Sequence, residues 1–150
     1  MKNFLSMLFG AIIAFSAANC FATVPNNEIA LGGIHPGMTA SELINIAGQP
    51  VSRNADGNEW FYKGFKVEFD DDSPNFVEEI KTRQNSLSTP SGIFVGYADS
   101  ILTETYGTAD KVKRKHNAIV YTYYSADYSR EMKFEIVNGV IVEITCEMND

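Results

Sequence analysis

The sequence predicts an α+β fold, in which two tandem helix-plus-antiparallel-sheet repeats form one layer of helices on an antiparallel sheet. Three observations predict it. One short pattern occurs twice, each copy carries the signals of a short helix, and each copy is followed by segments that alternate between apolar and polar residues. Helices of about two turns are unstable alone in water, so each must lie on the strands that follow it.

The repeated pattern runs from Gly33 to Gly48 and again from Gly92 to Gly107. Six identities fall in these sixteen positions without a gap, and the shared pattern reads G-I-x-x-G-x-x-x-S-x-L-x-x-x-x-G. Three of the identities are glycines, which indicates repeated backbone geometry. The pattern predicts two units. Their expected ranges are 23–83 and 92–150, joined by a polar linker at 84–91.

Each copy of the pattern contains a short helix. In the first, Thr39 and Glu42 fit a capping box, and Gly48 stands where a residue of left-handed conformation would end the helix. These signals predict a helix over 40–47. The second copy keeps the closing glycine but has Ala98 in the position of the threonine, so its cap is weaker.

Strands follow each predicted helix. Residues 65–69 and 132–136 alternate strictly between apolar and charged side chains, which is typical of a half-buried strand. Asn138 and Gly139 are a strong hairpin signal. The predicted strands are 59–62, 65–69 and 76–82 in the first unit, and 119–124, 132–136 and 140–146 in the second. We expect one continuous sheet, with helices on one face and the other face open to solvent or to a partner.

The first 22 residues have the layout of a secretory signal peptide. Lys2 precedes a nearly unbroken apolar run, which is followed by a cleavage signal ending at Ala22. The run is shorter than the ~20 residues of a membrane helix, which favours cleavage over an uncleaved anchor. The protein is therefore predicted to be exported, and to be periplasmic or extracellular.

Cys20 raises the alternative of a lipidated amino terminus. Ala17 and Asn19 stand where such a signal has leucine and a small residue, so cleavage after Ala22 is the preferred interpretation. Contact with a membrane is expected only if Cys20 carries a lipid.

The predicted mature chain is acidic and has one cysteine. Loss of 22 residues from the 150 leaves 128, and since Lys2 is the only charged residue removed, the net charge changes from −7 to −8. Such a surface repels phosphate backbones, which argues against nucleic acid as a partner. Cys146 is the remaining cysteine, so no intramolecular disulfide is expected and the fold must depend on an apolar core.

The motif of the first unit resembles a known family. Gly37 to Pro50 reads G-M-T-x-x-x-L-x-x-x-x-G-x-P, and Trp60 and Tyr62 follow. This is similar to the BamE (SmpA/OmlA) lipoprotein domain of outer-membrane assembly. Two such units in tandem resemble the beta-lactamase inhibitor protein architecture, in which two helix-plus-sheet repeats form a saddle. The resemblance implies an inhibitor-like binding module or, as the alternative, an envelope-assembly lipoprotein of BamE type.

The chain departs from both patterns. BamE-type proteins usually have one unit and a lipidated cysteine, and the lactamase inhibitors carry a disulfide in each repeat. Neither specific partner is therefore transferred to this chain. A fold by itself does not determine a function.

The sequence contains no recognised catalytic motif. His35 and His116 stand near no serine or cysteine in such a motif, and Cys146 shares strand parity with apolar residues, which predicts a buried thiol. We therefore expect no enzyme activity and no cofactor. The acidic run Asp70–Asp72 supplies oxygen ligands suited to calcium but lacks the rest of a calcium loop. It is interpreted as a solvated turn, with no metal site.

One basic cluster interrupts the acidic sequence. Its members are Lys111, Lys113, Arg114, Lys115 and His116. Contact with an acidic partner or an anionic lipid is one interpretation, and a solvated loop is the other.

Aromatic side chains supply the candidate protein-binding site. Its residues are Trp60, Tyr62, Tyr121 and Tyr123. Rigid amphipathic rings are common at protein interfaces, but the same rings could line the core. In that case Phe61 and Tyr124 become the exposed aromatics of these strands. The predicted function is that of an exported, non-enzymatic protein-binding module that engages its partner through the open sheet face.

Overall fold

A computed structural model describes residues 23–149. The predicted signal peptide and Cys20 lie outside the described residues. The elements in chain order are a short 3-10 helix Asn26–Glu28, α1 Ala40–Ala47, β1 Ser52–Arg53, β2 Glu59–Tyr62, β3 Phe65–Phe69, β4 Val77–Thr82, α2 Ser100–Tyr106, β5 Lys111–Arg114, β6 Ile119–Tyr124, β7 Arg130–Val137 and β8 Val140–Met148. No helix within this part of the chain is long and apolar enough to cross a membrane.

All eight strands belong to one antiparallel sheet. Their order is β1-β2-β3-β4-β8-β7-β6-β5. The two central strands come from different halves of the chain and pair directly, with Ile80 opposite Cys146 and Thr82 opposite Ile144. The expected continuous sheet is therefore present.

The predicted α+β class, with two tandem helix-plus-sheet repeats, is wrong. The structure is mostly β, with 40% strand and 14% helix. The two α-helices have eight and seven residues and bury only Leu43, Leu102 and Tyr106, so they are too small to form a layer over eight strands. Much of the chain that packs over the sheet is irregular, and it contributes the buried residues Ile29, Leu31, Ile34, Met38 and Ile93.

The local helix signals are confirmed. α1 begins after Thr39, whose hydroxyl accepts a hydrogen bond from the backbone N–H of Glu42, while the Glu42 carboxylate accepts one from the Thr39 N–H. Gly48 closes α1 and Gly107 closes α2, each with positive φ. The predicted weaker cap of α2 is also found, since Asp99 at its start makes no side-chain capping bond.

One face of the sheet carries the core. The buried apolar residues of the strands alternate along the chain and meet across the register, as in the row Ile80, Cys146, Met132 and Tyr123. We call this the covered face, because both helices and the irregular segments pack on it, and the opposite side the open face. The unit boundaries proposed from the sequence stay predictions.

Candidate functional site

The four predicted aromatic site residues lie on the covered face. Trp60 is 8% exposed and Tyr123 is 1% exposed, while Tyr62 and Tyr121 are half-buried and pack against the same core. Their direct use in protein binding stays a prediction. The alternative interpretation, that these rings line the core, matches their placement.

The tyrosine hydroxyls reach the ends of the helices. Tyr62 Oη donates to the Gly48 carbonyl at 3.2 Å, and Tyr123 Oη donates to the Gly107 carbonyl at 3.1 Å. Each bond satisfies a carbonyl that the end of a helix leaves without an intrahelical partner. Burial raises the pKa of Tyr123 to about 12, so its hydroxyl stays protonated and can donate.

Trp60 is held by three contacts. Its indole Nε1 donates to the Gly57 carbonyl at 3.0 Å, its ring lies 4.7 Å from that of Phe69, and the Arg53 guanidinium stacks 4.1 Å from the ring centre. A buried indole needs such a partner for its N–H. These contacts account for Trp60 as a structural residue.

The open face is charged. Its most regular feature is a row of five glutamates that face one another on five successive strands, which we call the glutamate ladder. Its members are Glu59, Glu68, Glu79, Glu147 and Glu131. Like charges directly opposite one another destabilise a sheet, so this register has an electrostatic cost that other residues must offset.

Lysines in the adjacent row offset that cost. This lysine row consists of Lys66, Lys81 and Lys133. Lys66 Nζ lies 2.6 Å from Glu59 and 3.1 Å from Glu68, and Lys81 Nζ lies 3.0 Å from Glu79. Three lysines face five glutamates, so the ladder is only partly neutralised within the face and keeps an excess of negative charge.

Lys133 lies between the last two glutamates of the ladder. It pairs with Glu131 at 2.5 Å and with Glu147. Burial would lower the pKa of Lys133, but the two carboxylates outweigh it and raise that pKa. Burial raises the pKa of Glu147, and its contact with Glu131 raises it further, while Lys133 acts in the opposite direction. One ammonium thus serves two carboxylates.

A shallow depression occupies the middle of the open face. Its volume is about 180 Å³. Thr145 lines it and is 4% exposed. The surrounding charged residues are Glu79, Lys81, Lys115, Lys133, Glu135, Glu143 and Glu147. The second strand from each edge carries an aromatic ring on the same face. These rings are Phe61 in β2, at 36% exposure, and Tyr124 in β6, half-buried against Tyr128.

The basic cluster forms an edge strand and a turn. Lys111–Arg114 is β5, the last strand of the sheet, and all four residues are exposed. Lys115 and His116 follow in the turn to β6, where the Lys115 N–H donates to the Ala118 carbonyl at 2.8 Å. A strand at this position was missed because its lysines obscure the apolar alternation.

The acidic run between β3 and β4 is a turn. Asp70 Oδ1 accepts from the N–H groups of Asp72 and Ser73, each at 2.7 Å, and Asp71 accepts from the Asn58 side chain at 2.8 Å. Within residues 23–149, no group of three or more histidine, cysteine, aspartate or glutamate side chains is arranged to hold a metal. The absence of a calcium site here stays a prediction.

The cysteine and the two histidines singled out in the sequence have different surroundings. Cys146 is fully buried and burial raises the pKa of its thiol, as the strand parity predicts. His35 is half-buried, with Nδ1 2.9 Å from the Pro36 carbonyl oxygen, and His116 is exposed in the β5–β6 turn.

Sequence reasoning named the open face but not the residues that form it. The signal was present, because the charged residues of 65–69 and 132–136 alternate with the apolar ones. What the sequence does not show is the register between strands, and the glutamate ladder depends entirely on that register.

Comparison with known proteins concerns the fold alone. No protein-family model matches the chain, and no curated protein matches it in sequence. A DUF4309 family protein, YjgB of Bacillus subtilis, has a similar structure, with a TM-score of 0.56 at 15% identity over 85% of this chain and 88% of that chain. An extracellular protein containing an SCP domain from Bacillus anthracis has a TM-score of 0.49 at 7% identity, over 75% of this chain and 44% of that chain.

Proposed function

We propose that the protein is an exported, non-enzymatic binding module whose open sheet face engages a basic segment of another protein. The observation that carries this proposal is the glutamate ladder. Five carboxylates on neighbouring strands are spaced by about 4.8 Å each, so they offer a row of negative charge roughly 20 Å long. A row of lysines or arginines on a partner would match it.

The energetics of the ladder support a role in binding. Aligned glutamates weaken strand pairing, and most positions on a solvated face tolerate other polar residues at little cost. The lysine row reduces the repulsion but leaves the register in place. An arrangement with a cost to folding is expected where a partner gains from it.

Electrostatic complementarity would act mainly on specificity and on the association rate. The lysine row gives the face both signs of charge, so a uniformly basic partner would meet repulsion beside the ladder. A partner with one basic segment flanked by acidic or neutral residues fits best.

A charge-reversal experiment tests the proposal. The tagged mature protein is used to capture partners from the cell envelope and medium of the producing cell, and the variant Glu68→Lys is compared with Glu104→Lys. Glu68 belongs to the ladder, whereas Glu104 is an exposed residue of α2 on the covered side. We expect capture to be lost with Glu68→Lys and kept with Glu104→Lys, with both variants folded by circular dichroism. Equal capture by the two variants would contradict the proposal.

The BamE-type alternative makes a different prediction about the amino terminus. It requires a lipid on Cys20, so the purified protein would fractionate with membranes and begin at that residue. Mass spectrometry of the mature chain distinguishes the lipidated form, which begins at Cys20, from the proposed soluble form, which begins at Thr23.

A further inference from the structure

The two edges of the sheet differ in length and charge. β1 is only two residues long, whereas β5 has four residues, of which Lys111, Lys113 and Arg114 are cationic and Val112 is 50% exposed. In the part of the chain that the structure describes, no strand pairs with the outer side of β5. An edge strand of this kind presents free backbone groups to any extended segment that can approach it.

The hydrogen-bond pattern shows which groups point outward. The Lys115 N–H donates across the turn to the Ala118 carbonyl, so the backbone N–H and C=O of Lys115 point toward β6. Because the direction alternates residue by residue in an antiparallel pair, Lys113 also faces β6, while Val112 and Arg114 direct their N–H and C=O groups away from the sheet. Two donors and two acceptors are therefore placed for another strand.

A cleft lies at the end of β5. Its volume is about 770 Å³, and Arg114, Lys115 and His116 line one side of it, with Asn138 of the β7–β8 turn opposite. Asp99 is the one acidic residue in its lining. Lys115 Nζ also pairs with the Glu135 carboxylate at 2.5 Å. Arg114 is therefore the cation of this lining that is placed to receive a carboxylate, and His116 follows it by two residues in the sequence.

Charge decides which strand can pair here. A second copy of this chain would bring β5 against β5 and place lysines opposite lysines, which is destabilising. Edge lysines commonly prevent such self-association. An acidic segment reverses the sign of every one of these contacts.

We propose that β5 binds an extended acidic segment of a partner protein as an added antiparallel or parallel strand, with a carboxylate of that segment in the cleft beside Arg114 and His116. The β5 edge is separate from the glutamate ladder. The edge needs an acidic partner segment, whereas the ladder needs a basic one. Failure of one proposal therefore leaves the other unaffected.

The probe is a synthetic acidic peptide, TEVEVEVT with blocked ends, compared with its lysine counterpart TKVKVKVT. Binding is followed by fluorescence anisotropy, and hydrogen exchange of the protein amides is measured with and without the acidic peptide. We expect the acidic peptide alone to bind, and to slow exchange at Val112 and Arg114 more than at amides of β1.

Two matched variants separate strand addition from simple charge attraction. Val112→Pro removes an outward donor, and proline is tolerated on an edge strand where the N–H faces solvent, whereas Val112→Ala keeps that donor. The affinity for the acidic peptide should be about tenfold lower in Val112→Pro than in Val112→Ala, as expected for the loss of backbone hydrogen bonding at one position. Lys113→Glu should also lower the affinity for the acidic peptide, because it replaces an attractive charge with a repulsive one.

The results that would overturn the proposal are specific. Equal affinity of the proline and alanine variants would mean that the backbone edge is not used. Unchanged affinity of Lys113→Glu would mean that charge does not select the segment. Protection confined to the open face would place the peptide elsewhere.

Discussion

The two faces of the sheet are built from the same strands but have opposite chemistry. In β7, Met132, Phe134 and Ile136 are buried on the covered face, whereas Lys133 and Glu135 alternate with them on the open face. The covered face gains its stability from the removal of apolar area from water. The open face holds charges that are paired with one another and contribute little to stability.

This difference separates the residues that hold the fold from those available for recognition. The aromatic rings that resemble binding residues in the sequence are used to close helix ends and to fill the core. The charged residues that resemble ordinary solvated positions form the ordered ladder. Substitutions on the two sides of one strand should therefore affect different properties.

The largest expected effect is at Phe134. Phe134→Ala removes a fully buried ring that contacts Tyr106 and Tyr123, and should lower the free energy of unfolding by about 3–5 kcal/mol. Lys133 directly precedes Phe134 and lies on the open face. Lys133→Ala should lower the free energy of unfolding much less, although it leaves two carboxylates without their ammonium. Urea denaturation measures both. Similar losses for the two variants would contradict the separation of the faces.

The hydroxyl of Tyr123 offers a finer comparison. Tyr123→Phe removes the bond to the Gly107 carbonyl and should cost about 1 kcal/mol. Tyr124→Phe, on the open face, should lie within about 0.5 kcal/mol of the parent protein, as surface substitutions usually do. If Tyr124→Phe proved the more costly change, the assignment of Tyr123 as a helix-closing residue would be wrong.

The pH dependence of Glu147 tests the crowding of the ladder. Its pKa is raised in the folded protein, so the folded state binds this proton more tightly than the unfolded state, and this group adds stability as the pH falls toward its unfolded pKa. The stability of the parent protein relative to Glu147→Gln should therefore increase as the pH is lowered from 7 to about 4.5. A relative stability that decreases over this range would mean that Lys133 controls Glu147 instead.

The smallest expected effect is at the exposed ion pair of Arg83 and Glu143. Arg83 Nε lies 2.6 Å from the Glu143 carboxylate, and its side chain is largely exposed. Arg83→Ala should cost no more than about 1 kcal/mol, and the cost should decrease in high salt. Thermal unfolding at low and high ionic strength measures it, and a large loss that is insensitive to salt would show that Arg83 acts through packing.

Part of the structure could be predicted because its causes are local. The capping box of Thr39 and Glu42 and the closing glycines depend on neighbouring residues, and the helix they predict is found. The alternation of 65–69 and 132–136 also assigns side chains to two faces correctly. The fold class was wrong because local signals do not reveal how little of the sheet two short helices can cover.

The sequence by itself determined the periodicity of the strands, the ends of α1 and the burial of Cys146, since each follows from residues within a few positions of one another. Only the tertiary structure decided that Trp60 and Tyr123 face the core, that the central strands β4 and β8 join the two halves, and that five glutamates align. Those features depend on pairing between distant segments. A shift of one residue in that register would move every side chain to the other face.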